Sequence, residues 1–375
     1  TGGIRAANNG TGLTILTIRI IENLITNNGG TGVFVDGSGM IAQNTVTNHS
    51  SGRGIGILSG DVTGNLIKNN NGGVSLGGGS SRVSRNTIMG NTGGFGAGIS
   101  AAGAVQITDN VIAGNVSSNT GGAIYWYGGS LGDSTVARNV IANNVALRSG
   151  GGVTAFGPMT ITGNSFFHNQ SVDTTTITEN GSALQVGSGA IVQGNTFRGQ
   201  VGVATIAVSG GAGSIQQNNF MNNPATYDVY NPTNASIDAG NNWWGTIETA
   251  AIQKRIFDQS DDVALGVVNV TPIRTTGESG SADGAAGGHS GDGGSGNADG
   301  EVDGEHRTGY GGLQAVLRNN GGKLYGNRRR ARQLTDRCGE CDDVHAERTG
   351  GGTVLCCGDG LRYGPGQRER CDRWE

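Results

Sequence analysis

The sequence predicts an all-β solenoid, a stack of short coils built from strands and turns. Three observations predict it: an asparagine that recurs every 21 to 31 residues, branched aliphatic residues at fixed positions around it, and 73 glycines among 375 residues. Glycine is therefore far above its usual share of about 7%. It does not occupy every third position beside abundant proline, since the chain has only 5 prolines. A collagen-like chain is thereby excluded.

The recurring asparagine sets the repeat. Its members are Asn23, Asn44, Asn65, Asn86, Asn110, Asn139, Asn164, Asn195, Asn218 and Asn241. A repeat length in the twenties is typical of solenoids, in which each unit buries its apolar face only against its neighbours. About ten coils are predicted between the first member and the last.

Two apolar columns accompany this asparagine. Three residues before it stand Ile20, Ile41, Val62, Val83, Ile107, Val136, Ile161, Val192 and Ile215, and only the last coil departs, with Asp238. Two residues after it stand Ile25, Val46, Ile67, Ile88, Ile112, Ile141, Phe166, Phe197, Phe220 and Trp243. Short alternating segments rich in Val, Ile and Thr favour strands over helices.

Each coil is too short for a pair of helices but accommodates three short strands and three turns. Strands stacked at about 4.8 Å give a solenoid about 48 Å long. Equivalent asparagines then lie above one another, and an internal ladder of their side chains satisfies backbone groups at the turn. A second turn column is expected five residues later, at Asn28, His49, Asn70, Asn91, Asn115, Asn144 and Asn169.

A further strand precedes each asparagine motif and follows a glycine cluster. In Ile124-Tyr125-Trp126 the alternation points Trp126 inward, between Ala101 and Ala155 of the adjacent coils. A large residue flanked by two small ones is typical of volume compensation in a packed stack. Tyr125 and Tyr127 are predicted to point outward.

The repeats and their ending resemble the right-handed parallel β-helix of the pectate-lyase-like superfamily. The resemblance covers residues 4–245, and Asn241-Asn242-Trp243-Trp244-Gly245 resembles the start of the cap that closes many secreted β-helix domains. We therefore expect β-helix repeats over residues 1–245 and a C-terminal cap with a short helix over residues 246–274; Trp243 and Trp244, where the two meet, make this C-terminal cap Trp-rich. An amphipathic stretch from Thr249 to Asp258 predicts a short helix in this cap.

Residues 275–375 differ in composition from the repeats. They are rich in Gly, Arg and Asp, contain all five cysteines and have few apolar residues. Such a segment buries too little apolar surface to offset its chain entropy. We expect a mostly disordered tail or a stretch translated out of frame.

The resemblance implies chemistry that the sequence supports only weakly. Enzymes of this superfamily cleave acidic polysaccharides with carboxylates, calcium and Arg or Lys, but their motifs are missing from the coils. Residues 1–237 hold only eight acidic residues. No catalytic residue and no metal ligand is assigned, no cofactor is predicted, and calcium, although possible by resemblance, has no supporting motif.

Two groups of residues are candidates for binding carbohydrate. Arg85, Asp109 and Arg138 precede the asparagine in adjacent coils, where they form either an exposed ion-pair ladder or a subsite for uronate carboxylates. The longest repeats mark loop insertions that contain Asp133 and Asp173, and such loops often carry function. Tyr125 and Tyr127 lie beside the first insertion, where they either stack on sugar rings or are exposed edge residues.

The preferred function is a secreted or cell-surface module that is structural or binds carbohydrate, such as a polysaccharide or cell-surface glycan. The alternatives are a polysaccharide lyase or glycoside hydrolase acting on acidic polysaccharides, and a spacer or adhesin segment of a larger surface protein. Enzymatic activity is thus left open, with binding favoured. Charged residues are only 14% and the net charge is −4, which argues against nucleic acid as a partner. We expect a monomer without a membrane span, and the start at Thr1 without Met or a signal peptide suggests a fragment or a processed product.

Overall fold

The structure is a computed structural model that describes residues 3–7, 18–128, 134–173, 180–211 and 213–277. For residues 344–349 and 352–357 it describes the backbone alone. The chain divides into two compact units, Thr1–Ser281 and Ala282–Glu375. The first unit confirms the predicted all-β solenoid, because its strands pair in parallel, each with its equivalent in the next coil.

The first column of strands includes Ile124–Trp126, the strand from which Tyr125 points outward. Its members are Ile4–Ala7, the first part of Val33–Ala42, the first part of Ile55–Thr63, Val74–Gly77, Ile99–Ala102, Ile124–Trp126, Val153–Ala155, Gly181–Val186, Ala204–Val208, Tyr227–Tyr230 and Ile256–Phe257.

The second column leads into the asparagine corner. Its members are Ile18–Ile21, the second parts of Val33–Ala42 and Ile55–Thr63, Ser81–Ser84, Val105–Thr108, Thr135–Ala137, Thr160–Thr162, Ile191–Gln193, Ser214–Gln216, Ile237–Asp238 and Val268–Asn269. In two coils a single long strand therefore runs through both columns.

The third column follows the asparagine corner. Its members are Leu24–Thr26, Thr45–Thr47, Leu66–Lys68, Thr87–Met89, Val111–Ala113, Val140–Ala142, Ser165–Phe167, Thr196–Arg198 and Asn219–Met221. A short fourth column, which the repeat did not predict, consists of Thr92–Gly93, Val116–Ser117, Val145–Ala146 and Gln170–Ser171.

The core lies inside the coils and consists of the predicted aliphatic columns. Trp126 is only 1% exposed and pairs in register with Ala101 on one side and Ala155 on the other. Its indole Nε1 donates a hydrogen bond to the Gly103 carbonyl at 2.8 Å. The expected volume compensation around Trp126 is thus confirmed.

The first asparagine ladder is confirmed, with one correction. In each rung the backbone N–H and the Nδ2 group donate to Oδ1 of the asparagine in the next coil, as Asn110 does to Asn139 at 2.9 Å. The last member is Asn242, because Asn218 donates to its Oδ1, and the prediction of Asn241 was wrong by one residue. With this register, buried Ala239 takes the aliphatic position that had been assigned to Asp238.

The second ladder extends further than predicted. The backbone N–H of Asn28 donates to Nδ1 of His49, so an imidazole takes one rung of an otherwise amide ladder. After Asn169 the acceptor is Oε1 of Gln200, whose own N–H donates to Oδ1 of Asn223. The predicted column ended at Asn169, although Gln200 and Asn223 keep the same spacing of five residues after Asn195 and Asn218.

The residue just before each first-ladder asparagine adopts a left-handed backbone conformation. The column reads Glu22, Gln43, Gly64, Arg85, Asp109, Arg138, Gly163, Gly194, Gln217 and Asn241, with φ between 55° and 64°. Non-glycine residues are uncommon there because Cβ approaches the carbonyl oxygen. The ladder hydrogen bonds hold the corner in this conformation, and Asn241 belongs to this column.

A stack of aromatic rings closes the C-terminal end of the core. Phe166, Phe197 and Phe220 stack with ring centroids 5.0 and 5.3 Å apart, and Trp244 follows at 4.6 Å with the rings 3° from parallel. The corrected register explains why Trp244, and not Trp243, takes the last position.

The C-terminal cap contains a shorter helix than the amphipathic stretch predicted. The helix spans Thr249–Gln253 and buries Ile252, whereas Ile256 lies in the strand Ile256–Phe257. That strand pairs with Tyr227–Tyr230, whose edge would otherwise carry unpaired backbone groups. The edge pairing thus replaces the expected second helical turn.

The second unit contains one described feature, an antiparallel pair of strands, Val344–Thr349 and Gly352–Cys357. The expectation of a disordered or out-of-frame tail otherwise lies outside the described residues.

Candidate functional site

An open groove of about 590 Å³ runs along the outer surface beside the first strand column. Its lining comes from the turns before the first-column strands, at Thr31, Arg53, Asn71 and Phe95, and from Tyr125 at its far end. These turns are stacked, as the hydrogen bonds from Gly32 to Arg53 and from Gly54 to Gly72 illustrate. The groove therefore crosses five coils, a span of about 19 Å at the usual strand spacing.

An aromatic cluster forms the wall at this far end. Tyr125 lies at the centre, with ring centroids 5.0 Å from Phe95, 5.9 Å from Tyr127 and 6.0 Å from Phe156. The strand Ile124–Trp126 buries its first and third residues, so its alternation turns Tyr125 outward. Tyr127 is 57% exposed, which leaves ring surface available to a ligand.

The environment of Tyr125 favours its neutral form. Burial raises the pKa of the Tyr125 hydroxyl above its usual value, and the neighbouring Tyr127 adds to the shift. The phenol therefore remains protonated at neutral pH and can donate a hydrogen bond.

The rest of the lining is small and polar. Ser51, Asn71 and Ser100 contribute hydroxyl and amide groups, and glycines expose their backbone. Arg53 is the one charged side chain among the described residues that line the groove. Its side chain packs beside Gly72, where an added Cβ would lie 3.1 Å from Arg53 Cγ at a φ of 97°. Glycine thus keeps this wall open.

The charged column lies at the asparagine corner and does not line the groove. Arg138 binds Asp109 through both ends of its guanidinium fork, Nε to Oδ1 at 2.8 Å and Nη2 to Oδ2 at 2.9 Å. Both side chains are largely exposed, 62% for Arg138 and 41% for Asp109. The structure thus brings together two of the three predicted residues as an exposed ion pair.

The ion pair shifts the pKa values of both side chains. The hydrogen bond from Arg138 holds the pKa of Asp109 below its usual value, and the charge of Arg85 contributes a smaller part. The same hydrogen bond raises the pKa of Arg138. The Arg138 fork already has a carboxylate partner within the protein.

The acidic candidates in the insertions lie apart from the groove or outside the described residues. Asp133 belongs to the stretch 129–133, which is outside them. Asp173 is half-buried, and its backbone N–H donates to the Leu147 carbonyl at 2.8 Å.

Sequence reasoning missed Arg53, Phe95 and Phe156. Arg53 and Phe95 interrupt glycine clusters, in Gly52-Arg53-Gly54 and Gly94-Phe95-Gly96, and lie in turns without apolar periodicity. A bulky residue between glycines at a turn was the available signal.

Neither a metal site nor a membrane helix is found in the part of the chain that the structure describes. There, His, Cys, Asp and Glu form no group of three that could hold a metal ion. None of its helices is long and apolar enough to cross a membrane.

Among the comparisons with known proteins, the match to a family model includes the coils that carry the groove. Residues 2–166 match the family model described as right handed beta helix region. No curated protein and no solved structure matches the chain. From its family match and its stacked parallel strands, the chain contains a right-handed β-helix region, and the groove with Tyr125 and Tyr127 lies within it.

Proposed function

We propose that the protein is a carbohydrate-binding β-helix module that acts outside the cell or at its surface, with the groove as its binding site. The observation that carries the proposal is the cluster of Phe95, Tyr125, Tyr127 and Phe156 at the end of an open polar groove. Sugar rings present C–H groups on their faces and hydroxyls at their edges. Exposed aromatic rings can stack on the C–H faces, and small polar groups can hydrogen-bond to the hydroxyls.

The length of the groove favours an oligosaccharide over a single sugar. Its lining extends from Thr31 to Tyr127 across five coils, on one rigid surface. Binding groups held by a hydrogen-bonded stack lose little freedom when a ligand binds, which favours affinity.

The composition of the lining supports binding more than cleavage. Most glycoside hydrolases use two carboxylates on either side of the bond they break. The described lining instead offers tyrosines, serines, an asparagine and one arginine. The spacer function remains the alternative if no carbohydrate binds.

A glycan array tests this proposal with the full chain and two aromatic variants. We expect the protein to bind a set of glycans and Tyr127→Ala to weaken that binding about tenfold, or about 1.4 kcal/mol. Phe167→Ala is the matched control, because Phe167 lies on the third strand column, outside the groove lining.

Two results would contradict the proposal. One is the absence of binding to any glycan by the folded protein. The other is binding that Phe167→Ala weakens as much as Tyr127→Ala does.

A further inference from the structure

The charged residues in the groove lining indicate whether the carbohydrate that binds there is neutral or acidic. This inference rests on the proposed function. Arg53 is the single charged side chain in the described lining, which extends over five coils. Tyr125 and Tyr127 carry no charge while protonated, and the pKa of Tyr125 is raised by burial. The described lining therefore presents one formal charge to a ligand.

Two arginines outside the lining have partners within the protein. Arg138 holds Asp109 with both ends of its fork. Arg5 lies over the ring of Phe34, 5.7 Å from the centroid. Within the described lining, Arg53 is the cation that an anionic ligand would meet.

A polyuronate would bring one carboxylate with each sugar unit. Carboxylates that lose water on binding need charge-assisted hydrogen bonds, most often from an arginine fork. One cation over about 19 Å leaves most of those carboxylates without a partner. The described lining thus opposes a chain that is charged at every unit.

We propose that the groove binds a chain of uncharged pyranose units that lies along the solenoid axis. At one end a sugar face stacks on Tyr127 and Tyr125, whose rings are supported by Phe95 and Phe156. Along the groove, the hydroxyls hydrogen-bond to Ser51, Asn71, Ser100 and the glycine backbone. Arg53 donates to neutral oxygens.

Titration calorimetry with two panels tests the ligand class. The neutral probes are cello-, xylo- and manno-oligosaccharides of two to six units, and the acidic probes are oligogalacturonates and oligomannuronates of equal length. We expect a neutral series to bind more tightly than every acidic probe, by about tenfold or more. Its affinity changes less than about twofold between low and high salt, because no ion pair is screened.

Arg53→Gln provides the matched variant. It removes the charge and keeps an amide donor, so we expect the affinity for the acidic probes to fall by a larger factor than the affinity for the neutral chain. Circular dichroism confirms that the variant retains its β structure.

The outcomes separate this inference from the proposed function. Tighter binding of an acidic series, lost at high salt and in Arg53→Gln, would overturn the uncharged class and leave carbohydrate binding intact. Failure of all neutral and acidic carbohydrates to bind would overturn the proposed function and, with it, this inference.

Discussion

Each buried asparagine of the first ladder joins three coils. Asn139 accepts hydrogen bonds from Asn110 at its Oδ1, and its Nδ2 donates to the carbonyls of Ile107 and Ala137 and to Oδ1 of Asn164. A shorter side chain would leave several of these groups buried without partners, which destabilises more than the bonds themselves contribute.

Asn139→Ala is therefore expected to lower the free energy of unfolding by about 3 kcal/mol. Urea denaturation followed by circular dichroism measures the change. Gln106→Ala removes an exposed amide from the strand Val105–Thr108 and is expected to stay within about 0.5 kcal/mol of the wild type. Equal losses in both variants would argue against the ladder as the source of stability.

The ion pair of Arg138 and Asp109 contributes little, because both side chains are largely exposed. The pKa of Asp109 is lower in the folded state, since Arg138 stabilises the carboxylate. Its contribution is therefore fully present above the unfolded value of about 4 and is lost as the pH falls through the folded pKa.

Asp109→Asn is expected to cost less than about 1 kcal/mol at pH 7, and its difference from the wild type shrinks as the pH falls toward about 2. Asparagine tolerates the left-handed conformation of this position, so the backbone is not perturbed. Unfolding curves across this pH range provide the measurement. A difference that is the same at both pH values would contradict the electrostatic assignment.

At the scale of the strand, Trp126 fills space that its neighbours leave. Ala101 and Ala155 pair with it in register, and Gly157 also lies against its ring. The core thus keeps its packing although coil sequences differ in volume.

Trp126→Ala is expected to destabilise the protein by about 3–5 kcal/mol through the cavity it creates. Adding Ala155→Leu returns part of the lost volume and is expected to recover part of the stability, although Ala155→Leu alone destabilises by overpacking. A thermodynamic cycle of the two variants measures this coupling. Additive losses would contradict volume compensation.

The sequence specifies strands better than corners and ends. Alternation and the asparagine repeat predict the core columns, because every coil obeys the same burial pattern. The last coil is harder to align, because two consecutive asparagines, Asn241 and Asn242, are each followed two residues later by a tryptophan. Ala239, three residues before Asn242, fits the aliphatic column, and the ladder bond from Asn218 and the stacking of Trp244 on Phe220 select Asn242.

The candidate site was predictable where it lies on a strand or directly beside one, as Tyr125 and Tyr127 do. Alternation places Tyr125 outside the core, whereas Arg53 and Phe95 reach the groove from glycine-rich turns that have no periodic pattern. Convergence of turns from different coils depends on stacking, which one coil's sequence does not reveal.

At the scale of the whole β-helix, each coil is stabilised by packing on its two neighbours. The last coil lacks one neighbour and is stabilised by contacts with the cap instead. Arg255 in the cap binds the buried carboxylate of Asp228 with Nε at 3.1 Å and Nη2 at 3.0 Å. It also donates to the carbonyls of Ala225 and Asn223. The Asp228 side chain is only 6% exposed, so losing this partner strands a buried charge.

Arg255→Met is expected to destabilise the C-terminal coils by about 3–5 kcal/mol. Because each coil contacts only its neighbours, hydrogen exchange should accelerate in Tyr227–Tyr230 and Ala204–Val208 while Ile99–Ala102 stays protected. Uniform loss of protection along the solenoid would contradict this one-dimensional behaviour.

The central claim is that carbohydrate binds at the aromatic end of the groove, and the most direct test is NMR of the tyrosine rings during a glycan titration. The chain has seven tyrosines, so selective labelling gives few signals, which single Tyr→Phe variants assign. Binding is predicted to shift the ring signals of Tyr125 and Tyr127 and to leave those of Tyr227 and Tyr230 unchanged. A glycan that binds without moving the Tyr125 and Tyr127 signals would contradict the account.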